Sequence, residues 1–273
     1  MPHTLLIATE VHMAATYEIL ALSPGAREVD WSTRLYMHPA GTGTTTSAYF
    51  LWLLRPSTGR PVLIDTGFTP RLAALKGLPA EAVPRTRYQL LDTAGVSDES
   101  IETVILTHLH WDHFNLEGWL PRATFWVQRR ELEFWAGAGG RDTWIRRFIS
   151  DCFAEDLDAL RSSGRLRTVE GNAQPLDGVR LEWVGGHSPG MQIVVVDTAT
   201  GPFVIANDAL TTYRNLRDWA PPAIHLNSIP ECMDAMSRIR ALARGDEGRI
   251  CPGHDGEVYR RFPEVGPGVY RLA

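Results

Sequence analysis

Four short apolar runs in the chain end in the same way. Residues 61–67 read PVLIDTG, 101–108 read IETVILTH, 202–208 read PFVIAND and 249–254 read RICPGH. Runs of this length, rich in β-branched residues and bounded by Gly or Pro, predict buried strands. Each delivers a polar residue where it runs out into a loop: Asp65, His108, Asp208 and His254. A further strand over 179–184 leads into the glycine-rich turn GGHSPG, which carries His187. Strand ends converging at one sheet edge would gather these residues into one cluster. Two of the four phrases fall in each half of the chain, which predicts two similar halves facing each other. Between the strands, helical periodicity covers 85–94, 128–135 and 229–244, the last opened by Pro230 and ending before Gly245. The stretch 143–163 also reads as helical and follows the glycine-rich residues 137–140. It is either a surface insertion packed on the core or a lid over a pocket. With no repeat and no low-complexity segment, the pattern predicts an α/β protein, a single domain over 1–273 with a helical insertion around 136–163.

Composition narrows the function. Of 273 residues, 44% are hydrophobic and 22% charged, ordinary globular values that exclude a disordered or fibrous chain. A net charge of −5 and the lack of a dense basic run argue against nucleic acid as a partner. Lys76 is the sole lysine and precedes Gly77, which excludes a Walker-type phosphate loop and leaves little scope for Schiff-base chemistry. No apolar run reaches the ~20 residues of a membrane span, and the start of the chain lacks the basic region of a signal peptide. Cys152, Cys232 and Cys251 form no paired framework, so reduced thiols in a cytoplasmic protein are expected. Nine tryptophans imply large apolar surfaces, in the core, along a pocket or at a homodimer interface.

Residues 107–113 read THLHWDH, three histidines and an aspartate immediately after an apolar strand. Alternation puts His108 and His110 on one side of an extended segment, where both imidazoles can bind one ion. Asp112 and His113 follow where the chain turns, and can face a second ion beside the first. His187, Asp208 and His254 supply the remaining ligands that two ions need. A carboxylate can bridge two cations about 3.5–4 Å apart, which makes the strand-end Asp208 the natural bridge.

These motifs, from Asp65-Thr-Gly67 to His254, resemble those of the metallo-β-lactamase superfamily and occur in the family's order from about residue 45 onward. The resemblance implies an αββα sandwich, two mixed β-sheets flanked by helices, with a dinuclear site at one edge. It implies His108, His110 and His187 on one metal, Asp112, His113 and His254 on the other, and Asp208 between them. The expected cofactors are two divalent ions per chain, with zinc foremost. Asp65 is expected to orient a ligand from behind, and Gly67 to allow a tight turn. Within the superfamily the chain is most similar to N-acyl-homoserine lactonases, on HLHWDH, on the stretch 127–131 (VQRRE) and on the single helix between Asp208 and His254. It departs from them at Met191, where they carry a histidine, and at Thr211, where they carry a tyrosine. Tyr213, two residues further on, is expected to take the tyrosine's place against the reacting carbonyl or leaving oxygen.

The chemistry implied is attack of metal-bound hydroxide on a lactone or related carboxylic ester with an apolar part, with N-acyl-homoserine lactone ring opening as a specific case and Asp112 taking or relaying the proton. A thioesterase or phosphodiesterase on the same metals is the alternative, with Arg129, Arg130, Arg146 and Arg147 as a basic pocket. A redox or purely metal-binding module is a third class, disfavoured because the superfamily's diiron oxidoreductases replace the histidine at His110 by Glu and append a flavin domain. Ser188 and Cys251 are expected to be structural, as is His225, while His3, His12 and His38 carry no assigned role.

Overall fold

A computed structural model describes residues 15–137 and 139–273; His3 and His12 lie outside them. One sheet contains β1 (Tyr17–Asp30), β2 (Thr44–Pro56), β3 (Val62–Ile64), β4 (Thr103–Ile105), β5 (Thr124–Gln128) and β6 (Leu166–Val169). The other contains β7 (Ala173–Leu176), β8 (Val179–Trp183), β9 (Gln192–Thr198), β10 (Gly201–Asn207) and β11 (Ile250–Pro252). The chain then returns to the first sheet through β12 (Glu264–Gly266) and β13 (Val269–Arg271). The orders are β12-β13-β1-β2-β3-β4-β5-β6 and β11-β10-β9-β8-β7. Both sheets are mixed: β3, β4, β5 and β6 run parallel, as do β10 and β11, and the remaining neighbours are antiparallel. The expected two-sheet α/β architecture with flanking helices is therefore present, although the halves exchange strands at the C-terminus.

Alternation along β2 shows why the layers stack. Phe50, Trp52 and Leu54 belong to the core shared with the second sheet, where Ile193, Val196 and Val204 meet them. Leu51 and Leu53 point the other way, into a second core with Leu63, Val104 and Phe125. A strand buried on both faces reads as a continuous apolar run, which YFLWLL is. Helices cover the outer faces. These are α1 (Pro70–Leu75), α2 (Arg87–Thr93), α3 (Arg129–Ala136) and α4 (Phe153–Ser162), then α5 (Tyr213–Asp218), α6 (Ile229–Leu242) and α7 (Val258–Arg261). Leu90, Leu91, Leu157 and Leu160 close the second core, and Ala235, Met236 and Ile239 of α6 close the first.

The stretch 143–163 is not one helix. A 3-10 turn, Ile145–Phe148, ends at Ile149 in extended backbone, and α4 starts afresh at Phe153. Lys76 fastens the break, donating to the carbonyls of Arg147 and Ile149, both at 2.7 Å. Among the described residues no helix is long and apolar enough to cross a membrane.

Candidate metal centre

The predicted strand ends do meet at one edge. Asp65 leaves β3 with a positive φ of 59°, and Gly67 turns the chain at φ 62°. Beyond β4 the His110 carbonyl accepts from the N–H groups of His113 (3.0 Å) and Phe114 (2.9 Å), and this turn swings Asp112 and His113 toward the same edge. His187 sits between β8 and β9, Asp208 follows β10, and His254 follows β11. Gly253 permits the last approach, because a Cβ there would lie 2.2 Å from Asp208 Oδ1.

Seven side chains converge in two groups. Ligand-capable atoms of His108, His110, His187 and Asp208 lie within 4.8 Å of one another, as do those of Asp112, His113 and His254. Asp208 touches both groups. Its Oδ2 is 3.3 Å from His187 Nε2, 3.8 Å from His108 Nε2 and 3.7 Å from His113 Nε2, and its Oδ1 is 3.0 Å from His254 Nε2. Asp112 Oδ2 lies 3.5 Å from His254 Nε2 and 3.7 Å from His113 Nε2. Donors bound at ~2.0–2.1 Å to one tetrahedral ion are separated by about 3.4 Å, so these spacings suit coordination.

The unsatisfied atoms point the same way. His108 Nε2, His110 Nε2, His113 Nε2 and Asp208 Oδ1 are buried without hydrogen-bond partners among the described residues. Meanwhile the opposite nitrogens are held from behind. His113 Nδ1 bonds Asp65 Oδ2 (2.9 Å), His187 Nδ1 the Ile224 carbonyl (2.9 Å), His254 Nδ1 the Ala48 carbonyl (2.8 Å) and His108 Nδ1 the Thr107 hydroxyl (3.1 Å). His110 is turned over, its Nδ1 lying 3.0 Å from His187 Nε2. Outer bonds of this kind fix the ring and leave the inner nitrogen free for a cation. A donor set of imidazoles and carboxylates without thiolate suits zinc and similar divalent ions.

The electrostatics separate His113 from the other rings. Burial, reinforced by neighbouring imidazoles, pushes His108 and His110 well below the usual histidine range, and burial also lowers His187. Burial opposes charge on His113 too, but Asp112, Asp208 and the Asp65 hydrogen bond outweigh it and hold this ring well above that range. Burial would raise Asp208, yet His254, His113 and His187 keep it well below the usual carboxylate range.

Behind the cluster, Asp65 is fully buried and accepts from Thr107 N (2.7 Å), Thr107 Oγ1 (2.8 Å), His113 Nδ1 and Asn207 Nδ2 (2.6 Å). It thus ties β4's exit loop to the residue preceding Asp208. Glu131, also fully buried, does the same for the other side. Its Oε1 accepts from Leu109 N (3.1 Å) and Trp135 Nε1 (2.8 Å), and its Oε2 from Ser188 Oγ and Gly190 N, both at 2.8 Å. Ser188 is spent on that bond, in keeping with a turn role. Cys251 is buried in β11 and accepts from Trp52 Nε1 at 3.3 Å. His225 packs edge-on against Tyr36, with 4.7 Å between ring centroids.

Beside the cluster opens a cavity of about 110 Å³, lined by His110, Asp112, Asp208, His254 and their neighbours. Its apolar wall is Trp111, Phe148 and Ile224. Phe148 stacks on His110 at 5.2 Å between centroids, and its carbonyl accepts from Trp111 N at 2.7 Å. The segment 143–163 thus contributes a pocket wall, although Trp144 is 56% exposed. The remaining wall comes from residues with no local signal in the sequence: Arg27 on β1, Arg34 after it, and Tyr49 on β2. Tyr49 sets its ring edge against His254, and burial beside Asp112 pushes its hydroxyl up to about 12, so it is a donor at neutral pH.

Two expectations fail here. Tyr213 does not reach the site: it is fully buried in the apolar core, and its hydroxyl donates to the Ile250 carbonyl at 2.7 Å. The chain turns into α5 at Thr212, and Asp255 Oδ2 takes the Tyr213 N–H at 2.8 Å, which directs the side chain inward. Thr211 is also occupied, donating to the Arg34 carbonyl (3.2 Å) and to Asn215 Oδ1 (3.0 Å). The other failure concerns the basic pocket. Arg129 pairs with Glu170, Arg130 lies over Trp183, Arg147 lies over Trp144, and none of these nor Arg146 lines the cavity.

Two layered sheets with a histidine- and aspartate-rich edge define a class of metal-site α/β proteins. The metallo-β-lactamase superfamily model matches residues 41–254, and the chain belongs to that superfamily. It is 27% identical over 233 residues to N-acyl homoserine lactonase AiiA of Bacillus thuringiensis subsp. kurstaki, covering 78% of this chain and 84% of that one. It is 27% identical over 191 residues to N-acyl homoserine lactonase AttM of Azorhizobium caulinodans, covering 64% and 66%. Among solved structures, an N-acyl homoserine lactone hydrolase with N-hexanoyl-L-homoserine at its catalytic metal centre shares the fold, with a TM-score of 0.71, 20% identity and 93% and 98% coverage. AidC, a dizinc quorum-quenching lactonase, does so with a TM-score of 0.67, 14% identity and 89% and 92% coverage.

Two substitutions test this geometry. Tyr213→Phe removes a core hydrogen bond and should cost about 1 kcal/mol of stability, read by denaturant unfolding, with turnover undiminished; a reduced kcat would return the hydroxyl to the site. Asp65→Ala should weaken metal affinity or activity by ~10–100-fold, and wild-type retention of both would show that Asp65 merely shapes a turn.

Proposed function

We propose that this chain is a dinuclear metal-dependent hydrolase of lactones or related carboxylic esters with an apolar part. Ring opening of N-acyl-homoserine lactones is its first test case. The observation that carries the reading is the set of buried imidazole and carboxylate atoms converging on Asp208, with His108 Nε2, His113 Nε2 and Asp208 Oδ1 lacking partners among the described residues, beside a cavity with an aromatic wall. In this reading His108, His110 and His187 would hold one ion and Asp112, His113 and His254 the other, with Asp208 between them. Zinc is the ion this donor set suits best. Such a pair of ions supplies a water activated near neutral pH and a polarised carbonyl.

The chain's own residues do the rest. Asp65 and the Ile224 and Ala48 carbonyls hold the imidazoles in the tautomer that leaves the inner nitrogen free. Asp112, which borders the cavity, holds or passes on the proton as the ester bond breaks. Tyr49 offers a hydroxyl to an oxygen of the substrate, the task for which Tyr213 lies too deep. Trp111, Phe148 and Ile224 exclude water and bear on the apolar part. The lactonase relatives support this reaction class. The free thiols, Cys152, Cys232 and Cys251, fit a reducing compartment, the cytoplasm.

Metal analysis of undialysed protein should give two divalent ions per chain, and one or none would sink the dinuclear reading. Asp208→Asn should lower metal content and activity together, since a neutral amide cannot balance two cations. Initial rates on a panel of lactones, thioesters, phosphodiesters and a β-lactam should be highest for a lactone. Within an acyl series, Phe148→Ala should raise KM more for long chains than for short ones. An equal change at every length would mean that Phe148 only packs on His110.

A further inference from the structure

The cavity beside the ligand cluster sets two arginines, Arg27 and Arg34, beside the two carboxylates assigned to the ions, Asp112 and Asp208. Arg34 is 7% exposed. Its Nη2 donates to Ser47 Oγ, but its Nε is buried without a partner among the described residues. Burial works against its charge, and Asp208 is the acid that acts on it most strongly. Asp208, however, faces the histidines of the ligand cluster, with His187 at 3.3 Å and His254 at 3.0 Å. A guanidinium stays protonated wherever it is placed, so a buried one without a dedicated anion is costly to the empty protein.

The backbone nevertheless fixes Arg34 in place. Its carbonyl accepts from Ala223 N (3.1 Å), Thr211 Oγ1 (3.2 Å) and Asn215 Nδ2 (3.4 Å), and its N–H donates to the Trp31 carbonyl at 2.9 Å. Across the same cavity stands Arg27, exposed at the rim, and both arginines act on the Tyr49 hydroxyl. Two permanent cations and a phenolic donor therefore face one small space. A planar fork of N–H donors matches a carboxylate, which accepts two of them at once.

We propose that Arg34, Tyr49 and Arg27 form a carboxylate subsite, so that the preferred substrate is a lactone or ester carrying an acid group near its scissile carbonyl. The proposal rests on the hydrolase reading and narrows its substrate class. The spacing follows from size. Arg34 and the proposed ligands Asp112 and Asp208 border one cavity of about 110 Å³. Only a few bonds can separate the acid from the reacting carbon, and the apolar part must leave past Trp111 and Phe148. A neutral N-acyl-homoserine lactone leaves Arg34 unpaired and is the poorer substrate.

The test compares γ-butyrolactone with its carboxylate-bearing analogue on metal-loaded protein, and follows glutarate binding by tryptophan fluorescence. The acid lactone should win by ~10-fold or more in kcat/KM, as expected for a charged hydrogen-bonded contact. Arg34→Gln and Arg27→Gln should each shrink that ratio and weaken glutarate binding. Arg27 is on the rim, so its variant reports even if Arg34→Gln does not fold. Equal rates on the two lactones without glutarate binding would overturn the subsite while leaving the hydrolase reading intact. Glutarate binding that depends on Arg27 or Arg34, with neither lactone hydrolysed, would uphold the subsite and sink the lactone reading. Faster turnover of bis-nitrophenyl phosphate, with KM raised in the arginine variants, would give both arginines to a phosphodiester and overturn the proposal.

Discussion

Burying the Asp65 carboxylate completely is tolerable only because donors surround it: the Thr107 N–H and hydroxyl, His113 Nδ1 and Asn207 Nδ2. An unpaired carboxylate in that position would cost several kcal/mol. Satisfying it requires the exits of β3, β4 and β10 to stop at one level. That requirement joins the two sheets at the edge where the histidines stand. The positive φ values of Asp65 (59°) and Asn207 (46°) show the backbone bent at both ends of this junction. The local strain is offset by the shared hydrogen bonds.

Glu131 completes the frame from the opposite side. Its four acceptor contacts run to Leu109, Trp135, Ser188 and Gly190, so the loop carrying His108 and His110 is braced against the loop carrying His187. Gln192 adds a third tie, its N–H to the Thr107 carbonyl at 3.0 Å and its side-chain amide to the Leu106 carbonyl at 2.7 Å. Two buried acids and an amide thus hold the inner imidazole nitrogens at ligand spacing.

The features legible in the sequence are those whose chemistry lies in residue type and short spacing. HLHWDH over 108–113, the strand-end Asp208 and the PGH at His254 announce themselves because few other uses need those residues there. The strands that carry them were readable as β-branched runs. The β1–β2 hairpin was not, since its lining residues Arg27, Arg34 and Tyr49 lie 63 to 85 positions before Asp112, and pairing across that distance leaves no periodic trace. Tyr213 misled for a related reason. A shift of two residues beyond a strand is harmless in an open loop, but here Thr212 caps a helix, and the start of α5 fixes the side chain toward Ile250. The break at Ile149 was hidden because the residues on either side of it are both helix-compatible, and only Lys76, distant in sequence, fastens the gap.

The hydroxyl that the resemblance places after the bridging aspartate is therefore absent from the cavity, and that segment has another task. Thr211 and Asn215 donate to the Arg34 carbonyl, so the loop behind Asp208 positions a cation instead of presenting a phenol. The phenol comes from β2 as Tyr49, from the other sheet. Relocating the donor changes what the pocket favours. A tyrosine alone serves a neutral carbonyl oxygen, whereas a tyrosine flanked by two guanidinium groups favours an oxygen that already carries charge. Selectivity in this chain is thus written on the β1–β2 hairpin, while the reacting centre stays with the strand ends. The two are joined at His254, where the hairpin supplies the Ala48 carbonyl behind Nδ1, the Ala48 N–H to the His254 carbonyl at 3.1 Å and the Tyr49 ring edge.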